Sequence, residues 1–300
     1  MTKNKKEKET KKEGKKEKKE KKEKKEQKEE KVETKKSSDK VYKRIEVDFW
    51  KTSAHVSELG LHKDLKYSAK SRYFTDKYEI EGDITIDGNS DKRQVIAYNE
   101  ESWKEKNLED RDLKIRTFTP IKEGKGGNFT GGIEISTAES LIQSYHIKGD
   151  PGIILIVNLP QNKNLYRIIR SRRLKGWKFA FPLLPEKDDE SLRVFEIKGK
   201  VGLGLDFEVT EKEKKIADID GKKLNLGGKW EIEIYDEELS KNRTLSKILT
   251  LFACACKFLE AGEKTVKELF KKFDDPKSDF KYFPDKEELD LFKNPRRLKA

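Results

Sequence analysis

From about Val41 onward, apolar and polar positions alternate with a period of two, the pattern of half-buried strands. Tyr78, Ile80, Ile84 and Ile86 share one phase, with Glu79, Glu81, Asp83 and Asp87 on the other. Asp87-Gly88 then supplies a two-residue turn into the apolar run Val95, Ile96, Ala97 and Tyr98, so the stretch is predicted to be a hairpin with one wet face. Residues 99–112 are polar and poorly patterned, and Lys122 to Gly132 reads as a glycine-rich loop before a short helix opening at Ser136-Thr137. Ile153 to Leu159 is a continuous apolar run ended by Pro160, as in a strand buried on both faces. Leu165 to Arg170, Trp177 to Leu183 and Leu192 to Ile197 follow at turn-separated spacing. Phe195, Ile197, Gly199, Val201, Leu203, Leu205, Phe207 and Val209 hold one phase, which predicts a long barrel-wall strand bending at Gly199, Gly202 and Gly204. Ala217 and Ile219, Leu224 and Leu226, then Trp230, Ile232 and Ile234 complete a meander, with Gly227-Gly228 as its hairpin turn.

The period changes after Asn242, and a helix is predicted over about 244–261. Leu245, Ile248, Leu249, Phe252, Ala255, Cys256 and Leu259 form one stripe, and Leu251, Ala253 and Phe258 cover much of the rest. Ser246, Lys247, Thr250, Cys254 and Lys257 fall within one sector of roughly 100° on the wheel. Such a helix is buried over most of its circumference. Asn242 or Thr244 can cap its start, Gly262 stands where a C′ residue is expected, and Lys247 and Lys257 are expected to reach water near its ends. The lysines interrupt the apolar stretch well short of the roughly 20 clean residues that a bilayer span needs. Cys254 and Cys256, two apart on a helix, point in divergent directions and read as reduced core thiols of an intracellular protein.

Composition changes this picture in one respect. Charged residues make up 42% of the chain, but residues 1–40 hold 19 lysines and 11 acids and so carry +8 of the net +12. Met1 and Val32 are the sizeable apolar side chains there, so this Lys/Glu-rich segment is expected to be a disordered, solubilising tail or a solvated single helix without a docking face. The folded body carries only +4, which makes the pI of about 9.2 weak evidence for a nucleic-acid or membrane partner. The expected organisation is a tail over 1–40, one barrel domain over 41–262 and a polar C-terminal extension over 263–300. The charged N-terminus lacks an apolar leader region, which points to a cytoplasmic protein, peripheral at membranes or nuclear in its associations.

A glycine-punctuated wall from Phe195 to Val209, the segment Lys215 to Ile219, the Trp-anchored strand Lys229 to Tyr235 and the apolar helix Leu245 to Leu259 together resemble the tubby-like C-terminal domain superfamily. Within it the chain looks closest to LURP-one-related proteins and phospholipid scramblases. The resemblance implies a mainly β fold, a closed antiparallel β-barrel threaded by the C-terminal apolar helix. It also implies a non-enzymatic binding or scaffolding module associated with anionic membrane lipid, a phosphoinositide above all. Lipid scrambling stays open as an alternative, although the chain lacks a cysteine-rich segment of the scramblase kind.

Catalytic signatures are absent. His55, His62 and His146 are too dispersed for a close ligand set, the cysteines lack CxxC spacing, and no nucleophile-elbow or P-loop motif occurs, so neither metal nor cofactor is expected. One constellation carries plausible chemistry: Arg167, Arg170, Arg172, Arg173, Lys175 and Lys178, interleaved with Tyr166 and Trp177. Clustered guanidinium groups at a strand end can clamp a phosphate bidentately, and a neighbouring Trp can enter a membrane interface or stack on a base. The same residues serve equally as a solvated strand rim with its aromatics turned inward. A headgroup-binding role is therefore expected for this cluster, with RNA or DNA as the alternative ligand.

Overall fold

The computed structural model describes residues 40–50, 78–120, 127–147, 152–160, 162, 164–171, 176–185, 191–200, 205–222 and 228–292. Twelve strands close into one antiparallel barrel: β1 (Lys43–Phe49), β2 (Glu79–Ile86), β3 (Asn89–Tyr98), β4 (Lys114–Pro120), β5 (Gly127–Ile135), β6 (Ile154–Asn158), β7 (Tyr166–Arg170), β8 (Lys178–Leu183), β9 (Arg193–Gly199), β10 (Phe207–Glu211), β11 (Lys214–Gly221) and β12 (Lys229–Ile234). Each strand pairs with its neighbour in sequence, and β1 closes the ring against β12. This up-and-down order leaves no free sheet edge. The expected hairpin at Asp87-Gly88 forms, with both residues at positive φ (53° and 66°), as a two-residue turn between twisted strands needs. Its expected single inward phase and wet face do not hold: the register shifts between Ile80 and Gly82, so Ile84 joins the main core while Tyr78 and Ile80 pack with Val95, Ala97 and Phe118 in a separate cluster, and Glu81 is buried.

Alternation decides which residues meet inside. In β1, Ile45, Val47 and Phe49 are buried, while Arg44, Glu46 and Asp48 face out. The outward faces are laced across strands by ion pairs such as Arg44–Glu231 (2.8 Å), Lys229–Glu46 (2.8 Å) and Lys200–Asp218 (2.8 Å). Much of the body's heavy charge is therefore a balanced outer coat, and each exposed pair adds little stability.

The barrel is filled by a helix. Two short helices, α1 (Glu100–Trp103) and α2 (Thr137–Ile147), interrupt the strands, and α3 (Glu237–Lys241) leads into α4 (Arg243–Cys256), capped by the Asn242 side chain accepting from Leu245 N–H. From Thr244 to Cys256 every α4 residue except Lys247 is buried. Phe252 lies edge-on to Phe179 (5.2 Å) and Phe207 (5.3 Å), at the heart of the barrel. Both cysteines are free and buried there.

Four local expectations need correction. Phe195 to Val209 is not one bent strand: β9 and β10 are antiparallel partners, with Gly199 opposite Phe207 and Ile197 opposite Val209. Gly127 to Gly132 is strand rather than loop, since β5 uses its small residues for close approach; a Cβ on Gly131 would lie 3.0 Å from the Leu251 side chain. The predicted 244–261 helix breaks at Lys257-Phe258, where Phe258 packs among Phe49, Tyr98 and Trp103. The chain then starts a new helix, α5 (Leu259–Phe273), and Gly262 is inside it, where a Cβ would meet Ile135 at 2.5 Å. Residues 1–39, Gly202, Gly204, Leu224, Leu226, Gly227, Lys122 to Gly126 and residues 293–300 lie outside the described residues.

The segment after α5 is pinned to the barrel wall. The last helix, α6 (Lys286–Phe292), buries Glu288, which accepts from Ser136 Oγ (3.0 Å), Ala138 N–H (2.8 Å) and Tyr282 O–H (2.6 Å). Lys114 in β4 pairs with Asp285 (2.9 Å), Glu287 (3.1 Å) and Asp112. Leu269 and Phe270 of α5 form a small outer core with Leu141 of α2.

Candidate functional site

The sequence-predicted cluster lies on β7, β8 and their connection. Arg167 faces outward, and Glu139 of α2 grips its guanidinium bidentately at 2.7–2.9 Å, which raises its pKa further. Arg170 reaches Glu263 of α5 at 2.9 Å and lies 5.1 Å above the ring of Trp177. Trp177 is itself half-buried, stacked parallel on Phe179 at 5.7 Å. Tyr166 is buried in the core, and Lys178 pairs with Glu196 at 2.6 Å. Arg172, Arg173 and Lys175 lie outside the described residues. Thus the structure brings Arg170 and Trp177 together but gives Arg167, Arg170 and Lys178 one carboxylate each. A phosphate arriving at Arg167, Arg170 or Lys178 competes with Glu139, Glu263 or Glu196.

A second group of cations has no carboxylate within ion-pair distance among the described residues. It lies at the barrel end where α4 begins, and it arises from inward positions that the strand phases carry to their last residue. Lys43 continues the inward phase of Ile45, Val47 and Phe49; its Nζ donates to Ser240 O (2.8 Å) and Ser246 Oγ (2.9 Å). Arg243 opens α4 and is exposed, and Lys247 follows one turn later, half-buried. Among the described residues none of the three forms an ion pair. Burial lowers the pKa of Lys43, with Lys92 and Arg243 adding repulsion and Asp87 opposing them; burial and then Arg243 lower that of Lys247. The first turn of α4 holds no acid, so these charges also oppose the positive end of the helix dipole.

Between these cations opens a crevice of about 120 Å³. Ile45, Ile86 and Leu251 supply its apolar surface, and the polar sector of α4, Ser246 and Thr250, faces Gln94, Thr117 and Thr130 of the wall. The wall groups are already linked: Thr130 Oγ1 donates to Gln94 Oε1 (2.8 Å) and is 2.8 Å from Thr117 Oγ1. Thr250 Oγ1 likewise donates back to Ser246 O (2.7 Å). A prearranged cleft with a cationic mouth and satisfied inner hydroxyls fits an anion carrying an apolar group. Sequence reasoning singled out the polar sector of α4 but not Lys43 or Gln94. The available signal was a Lys and a Gln standing in the inward phase of otherwise apolar strands.

Other chemistry is sparse. Among the described residues no group of three His, Cys, Asp or Glu side chains is placed to hold a metal ion, and no helix is long and apolar enough to cross a membrane. Burial pushes the Cys254 and Cys256 thiols far up, so they are poor nucleophiles. His146 is exposed on α2, and His55 and His62 lie outside the described residues. No family model, curated protein or solved structure matches the chain.

Proposed function

We propose that this chain is a non-enzymatic binding module of the tubby-like kind, related in type to LURP-one-related and scramblase-like proteins, that associates with anionic membrane lipid such as a phosphoinositide. The observation that carries the proposal is the mouth of the barrel: Lys43, Arg243 and Lys247 converge on an open crevice without a carboxylate partner among the described residues. Uncompensated, partly buried cations are costly to fold, and an anionic partner offsets that cost. The closed, helix-filled barrel supports the tubby-like reading, and because α4 occupies the interior, this reading puts the ligand at the mouth and surface. In this reading the protein works inside the cell, peripheral to a membrane.

Flotation of the full chain with liposomes containing phosphoinositide, beside neutral liposomes and single-stranded RNA, tests the proposal. Binding is expected to the acidic liposomes alone and to weaken as salt rises, because exposed charge is screened over about 8 Å at physiological ionic strength. Binding to RNA without binding to lipid would transfer the cationic mouth to a nucleic-acid role.

A further inference from the structure

The mouth has a feature that attachment to a bilayer surface does not require. Its cations surround an opening that continues between the wall and the central helix, past Ile45, Ile86 and Leu251. We propose that this crevice takes one single-chain anionic amphiphile, a phosphate or carboxylate on a short alkyl run, with the head between Lys43, Arg243 and Lys247 and the chain against Ile86 and Leu251. The inference rests on the anionic-lipid reading and adds that a ligand enters as a single molecule, with no bilayer present.

Size and charge select this class. A volume of about 120 Å³ is close to that of engineered cavities of about 150 Å³ that hold a benzene ring. That is room for a short alkyl run and not for a long acyl chain. Lys43 has three N–H donors, and two of them are engaged by Ser240 O and Ser246 Oγ. The Arg243 and Lys247 heads form no ion pair with described residues. Burial chiefly, with repulsion from Arg243 added, shifts Lys43 and Lys247 toward their neutral forms, and at Lys43 Asp87 offsets this only in part. An anion at the mouth removes that repulsion; a cationic amphiphile adds to it.

The test is a titration of the full chain with inorganic phosphate and with alkyl phosphates of two, four, six and eight carbons, followed by calorimetry. Affinity is expected to rise about fourfold per added methylene, the factor that corresponds to about 0.8 kcal/mol per buried CH₂, and to level off once roughly four to six carbons are inside. Alkyl carboxylates should follow the same series, and alkyl trimethylammonium ions should not bind. Arg243→Gln with Lys247→Met should weaken every phosphate at least tenfold without unfolding the chain, because both substitutions suit a helix. Affinity independent of chain length, with inorganic phosphate and acidic liposomes still bound, overturns the crevice and leaves the surface reading intact. Equal binding of the ammonium series overturns the role of the cations. Failure of phosphates and acidic liposomes alike removes both proposals.

Discussion

Phe252 is fully buried, and its ring meets edge-on Phe179 of β8 and Phe207 of β10, the two strands that flank β9. Truncation to Ala leaves a cavity that these two rigid aromatic neighbours cannot close, so Phe252→Ala is expected to cost about 3–5 kcal/mol in denaturant titration. Lys247 lies at the opposite extreme. Its charge is half-buried, near another cation and the positive helix end, so Lys247→Met should raise stability by a few tenths to about 1 kcal/mol. The same substitution should weaken anion binding, a gain in stability set against function. Many of the core residues were legible from alternation alone, as in β1, where Ile45, Val47 and Phe49 turn inward and Arg44, Glu46 and Asp48 outward. Lys43 and Gln94 were not, since a polar residue at the end of an inward phase looks the same in sequence as a strand already ended.

Among elements, the hairpin of β9 and β10 shows why periodicity alone misread a strand. Its paired residues are an even number of positions apart, Gly199 with Phe207 and Phe195 with Glu211, so the inward phase runs through the connection without a break. The α4–α5 break was equally hidden, because Phe258 continues the apolar pattern while its ring turns aside into the Phe49, Tyr98 and Trp103 cluster. The C-terminal segment, polar in composition, is held by the apolar contacts of Val266, Leu269 and Phe270 and, beyond α5, by a set of ion pairs as well. Asp112, Asp285 and Glu287 share one ammonium, Lys114. Burial pushes the Asp112 carboxyl up to about 6, whereas the Glu288 N–H and Lys114 overcome burial to hold Asp285 below its usual 3.8. A raised carboxyl contributes most below its unfolded value and loses that contribution as pH rises through 6; a lowered one loses it as pH falls below about 4. Hydrogen exchange of residues 280–292, corrected for intrinsic rates, should therefore show the strongest protection near pH 4, a decline as pH rises through 6 and a loss as pH falls below 4. Protection that keeps rising below pH 4 would contradict the Asp285 assignment.

On the scale of the molecule, charge and fold separate cleanly. The strands keep their ion pairs on the outside, the helix fills the inside, and the cationic excess lies in residues 1–40. Removing residues 1–40 should leave the melting temperature and the steepness of unfolding nearly unchanged, since that segment has almost no apolar surface to bury. The barrel class was legible because turn-separated alternation repeats over some 190 residues and ends in one helix apolar nearly all round. The candidate site at the mouth was not legible as a cluster in sequence, because Lys43 and Arg243 are 200 positions apart and come together only when β1 closes on β12. The most direct test of the account compares two charge reversals in one liposome assay: Arg243→Glu with Lys247→Glu at the mouth, and Arg172→Glu with Arg173→Glu in the β7–β8 connection. The account predicts that the mouth variant loses binding to phosphoinositide liposomes by at least tenfold while the connection variant keeps most of it, both with near-native melting temperatures. Full binding by the mouth variant, with loss in the other, would contradict it and return function to the arginine cluster.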